Sequence, residues 1–575
     1  MDYSKDRLGC NKRKGRVLMV FSKKTFFISV LTAVLAIFSQ SLFAESYKIA
    51  DITYTTTGRT KEEALDRNLS LNRNKVYNSK EDFEIFVNDL RKRLDSERIF
   101  KSSTVEAEYG EENEEGIIGV TLHISTEDSS SLFILPYPKY KSDDGKFPSG
   151  TTVKIKLKDY NFLGLMETLN IEVSGAMSTE DENVKHEFGI SLDYDYPFTV
   201  EPFNMKWQNS LSIDYTIEED APEFDFSTGL NAVLPFDLFS LDLTLKQSII
   251  RENDYIDYGD AVYMTEYEEF AIPINVGEIE NWGKVTYSPF VSSKQYWDKD
   301  GISIDNTDLN GIRLEFGHKI SSSRIDWKGN FRSGASISVK QSYTYNTYDK
   351  ALTPYYSGDL EVFMASKYAG LAMRFYTFQY LQTYDNNNII GEKIGGELRG
   401  IRDDQKFDED YWEEGEDSDV FSASPYALKT PAALIFNFDF PIKIFYLDWY
   451  GLRERLIENF FVPVLHTSND PIIMKPFKLG FLKKCNFELQ LSPFVDVGLL
   501  YNRATSKLYS LRDGFYAGGI EMLVYPEHWR SVIGRVSFGV DVGRKIFKNK
   551  LNLDNEWRRT STSTWELTIG LGLHY

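Results

Sequence analysis

From Ser130 to Tyr575 the chain almost abandons the helical period and alternates apolar with polar residues in short runs. The runs are broken by polar, Gly-rich or Asp-rich stretches. Alternation sends successive side chains to opposite faces of a strand, so each run has one apolar and one polar face. Seventeen such runs can be read, from "SLFILPYPKY" through "TVKIKLKDYNFLG", "SLDLTLKQSII" and "FELQLSPFVDVGLLY" to the closing "WELTIGLGLHY". Each is close to the roughly 9–11 residues that a tilted strand needs to cross hydrocarbon. An open sheet of this size would expose strand edges, whereas a closed barrel has none. The pattern therefore predicts an all-β transmembrane barrel over 130–575. Bacterial barrels have even strand numbers, so about 16 antiparallel strands are expected, with one run spurious.

The closing run carries Trp565, Leu567, Ile569, Leu571, Leu573 and Tyr575 on one face and Glu566, Thr568, Gly570, Gly572 and His574 on the other. A soluble edge strand usually carries charge or proline on such a face. Its absence favours a lipid-facing strand, with the last aromatic at the bilayer interface, over a strand tucked into a soluble sandwich. Aromatic residues make up 15% of the chain while mean hydropathy is −0.36, as suits an apolar exterior around a polar lumen. One long apolar run occurs, near the N-terminus, which excludes a helical membrane protein. That run, "KKTFFISVLTAVLAIFSQSLFA", has basic Lys23 and Lys24, an apolar stretch from Phe26 to Phe38, and Ala44 before a cut. Residues 1–44 read as a secretory signal region, with Met19 as an alternative start. Cys10 lacks the preceding apolar stretch of a lipoprotein signal.

Removal of 1–44 leaves Cys485 as the lone cysteine, so neither an internal disulfide nor a cysteine metal cluster is expected. The removed region holds eight Lys/Arg and two Asp, which takes the net charge from −21 to −27. Such an acidic protein is not expected to bind nucleic acid. Residues 47–128 differ in kind from the strand-rich remainder of the chain. "YKIADITYT" alternates, "TKEEALDRNLSL" and "SKEDFEIFVNDLRKRLDSERIF" are helical, and "TVEAEY" and "IIGVTLHIS" alternate again. Ser79 is placed to cap the second helix, whose apolar stripe is Phe83, Phe86, Val87, Leu90 and Leu94. A small α+β domain of order β-α-α-β-β is predicted.

That unit resembles a POTRA domain, through the turn glycine Gly58, the helix break "NKVYNS" and the ending "RIFKSSTVEAEY". One POTRA domain before a sixteen-strand barrel is similar to the layout of the BamA/TamA outer-membrane assembly superfamily. Barrel motifs carry the resemblance further. "GGELRGIRDD", in a long loop around 390–425, resembles the family's Arg-Gly-aromatic loop tip, with Arg399 and Gly400 matching and Ile401 in place of the aromatic. "PFVDVG" is similar to the family's F-x-D-x-G strand motif through Phe494, Asp496 and Gly498. The closing strand is similar to the family's C-terminal aromatic signal. "DYNFLG" and "DYDYPF" add weaker early-strand matches.

The resemblance implies a latch in which Arg399 pairs with Asp496 inside the lumen. Alternation puts Phe494, Asp496 and Gly498 on one face, which is lumenal if Val495 and Val497 face lipid. On spacing alone, a solvated Arg399 and a hydrated Asp496 are an equal alternative. The acidic run "DDQKFDEDYWEEGEDSD" lacks calcium-loop spacing, so no metal or other cofactor is expected. The stretch 443–486 lies where the family has a short turn.

The resemblance also implies a function. Unfolded outer-membrane proteins would be the clients, received by POTRA strand augmentation and inserted at a seam between first and last strands. Periplasmic chaperones or accessory lipoproteins would be further partners, with the barrel in the bacterial outer membrane and the POTRA domain in the periplasm. Pro136, Pro138, Gly570 and Gly572 point to a weak seam. A two-partner-secretion-type translocator and a passive porin remain alternatives. The six histidines are scattered, with no His-Glu-x-x-His, no Gly-x-Ser-x-Gly and no phosphate-binding loop, so no catalytic residue is assigned and no enzyme is expected.

Overall fold

The computed structural model describes residues 45–575, apart from short turn segments and the stretches 254–261, 299–308, 402–428, 453–484, 502–507 and 544–564. The signal region, the acidic run after Arg399 and most of 443–486 lie outside the described residues.

The N-terminal module comprises β1 (Ser46–Thr57), α1 (Glu62–Leu69), β2 (Val76–Tyr77), α2 (Lys80–Ser96), β3 (Phe100–Glu112) and β4 (Ile117–Asp128). Its antiparallel sheet runs β2-β1-β4-β3. The short β2 is absent from the expected order. It forms in the helix break because Tyr77 and Val76 pair with Tyr47 and Lys48, and the buried Tyr77 ring meets Phe83 edge-on at 5.1 Å. Ser79 Oγ accepts the Asp82 N–H at 3.0 Å, which satisfies one of the unpaired donors at the start of α2. Phe83, Val87, Leu90 and Leu94 of that helix are buried.

The barrel begins with β5 (Leu132–Asp143), β6 (Lys146–Asp159), β7 (Leu169–Glu180), β8 (Asn183–Val200), β9 (Phe203–Thr216), β10 (Glu223–Pro235) and β11 (Ser240–Arg251). It continues through β12 (Val262–Ala271), β13 (Ile274–Ile279), β14 (Gly283–Trp297), β15 (Arg313–Lys328), β16 (Phe331–Asn346), β17 (Ala351–Ala365) and β18 (Gly370–Tyr380). Four two-residue strands, β19 (Tyr384–Asp385), β20 (Asn388–Ile389), β21 (Glu392–Lys393) and β22 (Lys429–Thr430), belong to the long loop. The wall resumes with β23 (Ala432–Asp439), β24 (Ile442–Leu447), β25 (Phe487–Leu500), β26 (Phe515–Pro526), β27 (Gly534–Asp541) and β28 (Trp565–Leu571), and β28 neighbours β5 to close the ring.

β12 with β13, and β23 with β24, are each one strand broken near a proline, Pro273 and Pro441, and each pair faces a single neighbour, β14 and β25. The twenty ring segments are therefore eighteen wall strands among the described residues. All seventeen runs read from the sequence are real, and none is spurious. The additional strand is β12–β13, hidden by Glu266, Glu268 and Glu269 and by the break at Pro273.

Alternation holds along most of the wall. On β11 Leu243, Leu245 and Ile249 are exposed while Ser248 is buried, and on β25 Val495 is 50% exposed while Asp496 is 0%. The exposed apolar side of each strand is the lipid side, and no helix among the described residues is long and apolar enough to cross a membrane.

One expectation fails at the end of the chain. β28 keeps Trp565, Leu567 and Ile569 on the outer face but stops at Leu571. Gly572 adopts a left-handed φ of 88°, which a residue without Cβ reaches without strain, and the chain turns inward. Leu573 packs with Leu523, Tyr525, Ile533 and Trp327. The Tyr575 hydroxyl donates to the Ala372 carbonyl at 3.1 Å, and Arg332 donates to the Tyr575 main-chain oxygen. Tyr575 is thus a lumenal residue, not an anchor at the bilayer interface, because Arg332 and the Ala372 carbonyl hold its main chain and hydroxyl there. Replacing outward Ile190 with Arg should lower the unfolding free energy in phospholipid vesicles by about 2–4 kcal/mol, read from urea titration.

Candidate functional site: lumenal latch and seam

Arg399 lies in the loop between β18 and β23 and is buried against the inner wall. Its Nε and Nη2 donate to the two Asp496 oxygens at 2.9 and 2.7 Å, and its own backbone N–H donates to Asp496 Oδ2 at 2.8 Å. Nη1 and Nη2 donate to the Asp439 carboxylate at 2.6 and 3.1 Å, and Glu521 stands 3.8 Å from Nη1. The planar fork of guanidinium donors suits two carboxylates held at an angle, which a lysine could not span. The Phe494 ring lies under the guanidinium, 3.9 Å from its carbon, a cation–π contact in a desolvated site. The expected pairing of Arg399 with Asp496 is thus present. Asp439, which spacing did not single out, accepts two further bonds from the same guanidinium.

The other motif positions acquire physical roles. A Cβ on Gly498 would sit 2.7 Å from Leu398, so this glycine makes room for the residue preceding the arginine. Gly400 has a φ of 83°, and a Cβ there would meet the Gly539 carbonyl carbon at 2.6 Å. The loop tip and β27 therefore touch backbone to backbone. Ile401 is buried with Phe378, Ile394, Leu398, Ile435 and Phe515, so bulk without aromaticity serves at this position.

Several lumenal partners escaped the sequence reading. Glu392, farther up the loop, accepts from the hydroxyls of Tyr355, Tyr376 and Tyr380 at 2.8, 2.9 and 3.3 Å. Arg374 joins Glu397 of the loop to Asp359 of β17. The Gly400 N–H donates to Glu566 of β28 at 3.0 Å, and His574 meets the Glu397 carbonyl at 3.3 Å. A cavity of about 40 Å³ beneath the latch is bounded by Arg332, Asp439, Glu521, His574 and Tyr575. Asp439 was legible in principle, since in "FNFDF" the alternation that turns Phe436 and Phe438 outward turns Asp439 inward. The others depend on loop placement, for which the sequence holds no signal.

At the seam, strand directions can be read from individual bonds. In an antiparallel strand each residue aims its N–H and C=O to one side, and the side alternates. Ser131 C=O accepts from Tyr160, so odd-numbered residues of β5 face β6. Leu132 C=O accepts from the Trp529 indole at 3.1 Å, so even-numbered residues face the seam. Pro136 and Pro138 are even, and both lack an N–H. On β28 the Gly572 N–H donates to Ile533 next to β27, so the odd residues Trp565, Leu567, Ile569 and Leu571 face β5 with every donor and acceptor present. The seam therefore joins a complete edge to one missing two donors, and β28 spans seven residues against twelve in β5.

Fold and site together define a membrane-spanning β-barrel with an N-terminal α+β module, a loop pinned within its lumen, and an under-bonded closing seam. No family model matches the chain, and no curated protein matches it. Among solved structures it is similar to CdiB from Acinetobacter baumannii, with 11% identity over 96% of this chain and 82% of that one, at a TM-score of 0.43. It is similar to BamA from Haemophilus ducreyi lacking POTRA domains 1–3, with 13% identity over 86% and 80% and a TM-score of 0.32. It is also similar to CdiB from Escherichia coli, with 8% identity over 91% and 95% and a TM-score of 0.34.

Breaking a buried ion pair by removing one partner strands the other charge, at a cost of about 3–5 kcal/mol. Asp496→Ala leaves Arg399 to Asp439 alone and removes the acceptor of three of its donors, so it should lower barrel stability by at most about that amount in urea titrations and open the loop to added protease. Gly400→Ala should expose the loop in the same assay, since the new methyl collides with β27 while every charge remains.

Proposed function

We propose that the protein is an outer-membrane assembly factor that inserts client β-strands at the β5–β28 seam, with its N-terminal module acting as a POTRA domain in the periplasm. The carrying observation is the placement of Pro136 and Pro138 with their missing donors on the seam side of β5. In hydrocarbon each unpaired backbone group costs several kcal/mol, so a seam built this way is the weakest line in an otherwise complete wall. A client strand entering there exchanges poor pairing for its own ladder, so its backbone is never exposed to lipid.

The N-terminal module supports the same reading. β2 covers β1 only at Tyr47 and Lys48, and β3 forms the other edge of the sheet. Both edges can extend a client by main-chain hydrogen bonds without reading its sequence. The lumenal latch weighs against a passive porin, which gains nothing from a loop held inside by a buried arginine. A two-partner-secretion-type translocator would need the loop tip to leave the wall during each passage, breaking the contacts of Arg399, Glu397 and Glu392 together.

The test supplies the missing donors. Pro136→Val with Pro138→Val should strengthen the seam by about 1 kcal/mol per restored hydrogen bond and slow the insertion of an unfolded client barrel into vesicles containing this protein. Insertion at an unchanged or higher rate would refute the seam mechanism. In cells, depletion should lower outer-membrane barrels in general, whereas loss of a single secreted protein would favour the translocator.

A further inference from the structure

Where β5 begins, it is held by a neighbour other than its seam partner. The ring runs β26-β27-β28-β5, so β28 stands between β5 and the turn that joins β26 to β27. That turn nevertheless grips the start of β5. The Ser130 N–H donates to the His528 carbonyl at 3.1 Å, and the Ser130 hydroxyl meets His528 Nε2 at 2.7 Å. Beside them the Trp529 indole donates to the Leu132 carbonyl, and its ring stands edge-on to Phe133 with 6.1 Å between centroids. β28 stops at Leu571, after which the Gly572 N–H bonds back to Ile533 and the chain turns inward.

The Leu132 carbonyl is a particular acceptor. It lies on the seam side of β5, as do the main-chain groups of Ile134, Pro136 and Pro138. Of these four, only Leu132 and Ile134 have both a donor and an acceptor. A strand arriving at this edge finds a full set of partners at the first two residues and an incomplete set at the next two. The side chains of Leu132 and Ile134 are exposed on the lipid side. The start of the edge is thus its best-furnished part, and the indole covers it.

An indole N–H is a donor and nothing more, so it satisfies the carbonyl without continuing a ladder. A backbone N–H from an extended strand offers the same bond and brings the bonds of its neighbours with it. The displaced indole has a second place to go. Tryptophan settles at the membrane interface, with its ring among acyl chains and its N–H toward water or headgroups, and a turn between two wall strands lies at an end of the barrel. The exchange breaks one hydrogen bond and forms at least one, leaving neither the carbonyl nor the indole bare.

We propose that Trp529 is the cap of the seam, a positioning residue that occupies the Leu132 carbonyl and yields it to the first N–H of an incoming strand. This rests on the reading of the β5–β28 seam as the place of insertion.

Full-length protein in phospholipid vesicles tests this with Trp529→Phe, which keeps an aromatic ring beside Phe133 and removes the donor. Without any client, amide hydrogen exchange read by mass spectrometry should be about fivefold faster in β28, the factor one ordinary hydrogen bond makes in an opening equilibrium. Exchange in β16 and β17 should not change. With an unfolded client barrel, insertion should speed up, whereas a merely structural loss would slow it. As a second variant, Ser130→Cys with His528→Cys, in a chain whose Cys10 and Cys485 are replaced, should form a disulfide. A backbone hydrogen bond already joins that pair and brings it into the roughly 4.4–6.8 Å Cα range. The oxidised chain should exchange more slowly in β28 and insert the client more slowly, and both should recover on reduction. Unchanged exchange in Trp529→Phe, slower insertion by it, or an oxidised chain whose β28 exchanges at the native rate would each overturn the proposal. Exchange that shifts as stated in both variants while insertion keeps its native rate would overturn the insertion reading instead, leaving Trp529 a fastener of the ring.

Discussion

Hydrocarbon gives a backbone N–H or C=O nothing to bond to, and almost every feature of this protein answers to that fact. It requires the wall to close, which makes the sheet a ring of eighteen strands without an exposed edge among the described residues. It imposes alternation on most of the wall, where a strand shows an apolar face to lipid and holds its polar residues inside, with β12 and its outward Glu266 and Glu268 an exception. It also gives two prolines in β5 their significance. In a soluble sheet the missing donors would be replaced by water, whereas here they mark the line along which the ring is least complete.

The lumen solves a different problem, that of keeping a long loop inside. Charge does this because the wall supplies fixed carboxylates. Asp439 and Asp496 come from neighbouring strands in a register that puts Asp439 opposite Phe494 and Asn437 opposite Asp496. The guanidinium thus bridges two strands and rests on the ring between them. Burial makes such a pair costly to form and costlier to break, which is a sound basis for position even where its net contribution to stability is small. Glycines at 400, 498 and 539 complete the arrangement by subtraction, since each leaves the space that another group occupies.

Much of this was legible beforehand. The barrel followed from a period of two, and the latch partners Arg399 and Asp496 followed from resemblance combined with alternation. The missed strand shows where periodicity fails. β12 carries Glu266 and Glu268 on the side that should be apolar, so its pattern was absent from the sequence even though its hydrogen bonds are regular. The end of the chain shows another limit. "WELTIGLGLHY" alternates to its last residue, and nothing in the pattern says that the strand stops at Leu571. That depends on Arg332, about 240 residues upstream by the numbering, holding Tyr575. Similarly Glu392 and its three tyrosines meet only once the loop has folded inward, a long-range event that local sequence does not encode.

The bond from Gly400 to Glu566 has a mechanical meaning. Its donor belongs to the inserted loop and its acceptor to the final staple of the ring, so the two cannot move apart without breaking the hydrogen bond of a buried amide. Displacement of that last segment is consequently felt at the buried arginine two bonds away, and any force that draws the loop outward pulls on the ring at its thinnest point. A cylinder assembled this way is fastened from within, its closure tied to its contents by Glu566 and again by His574.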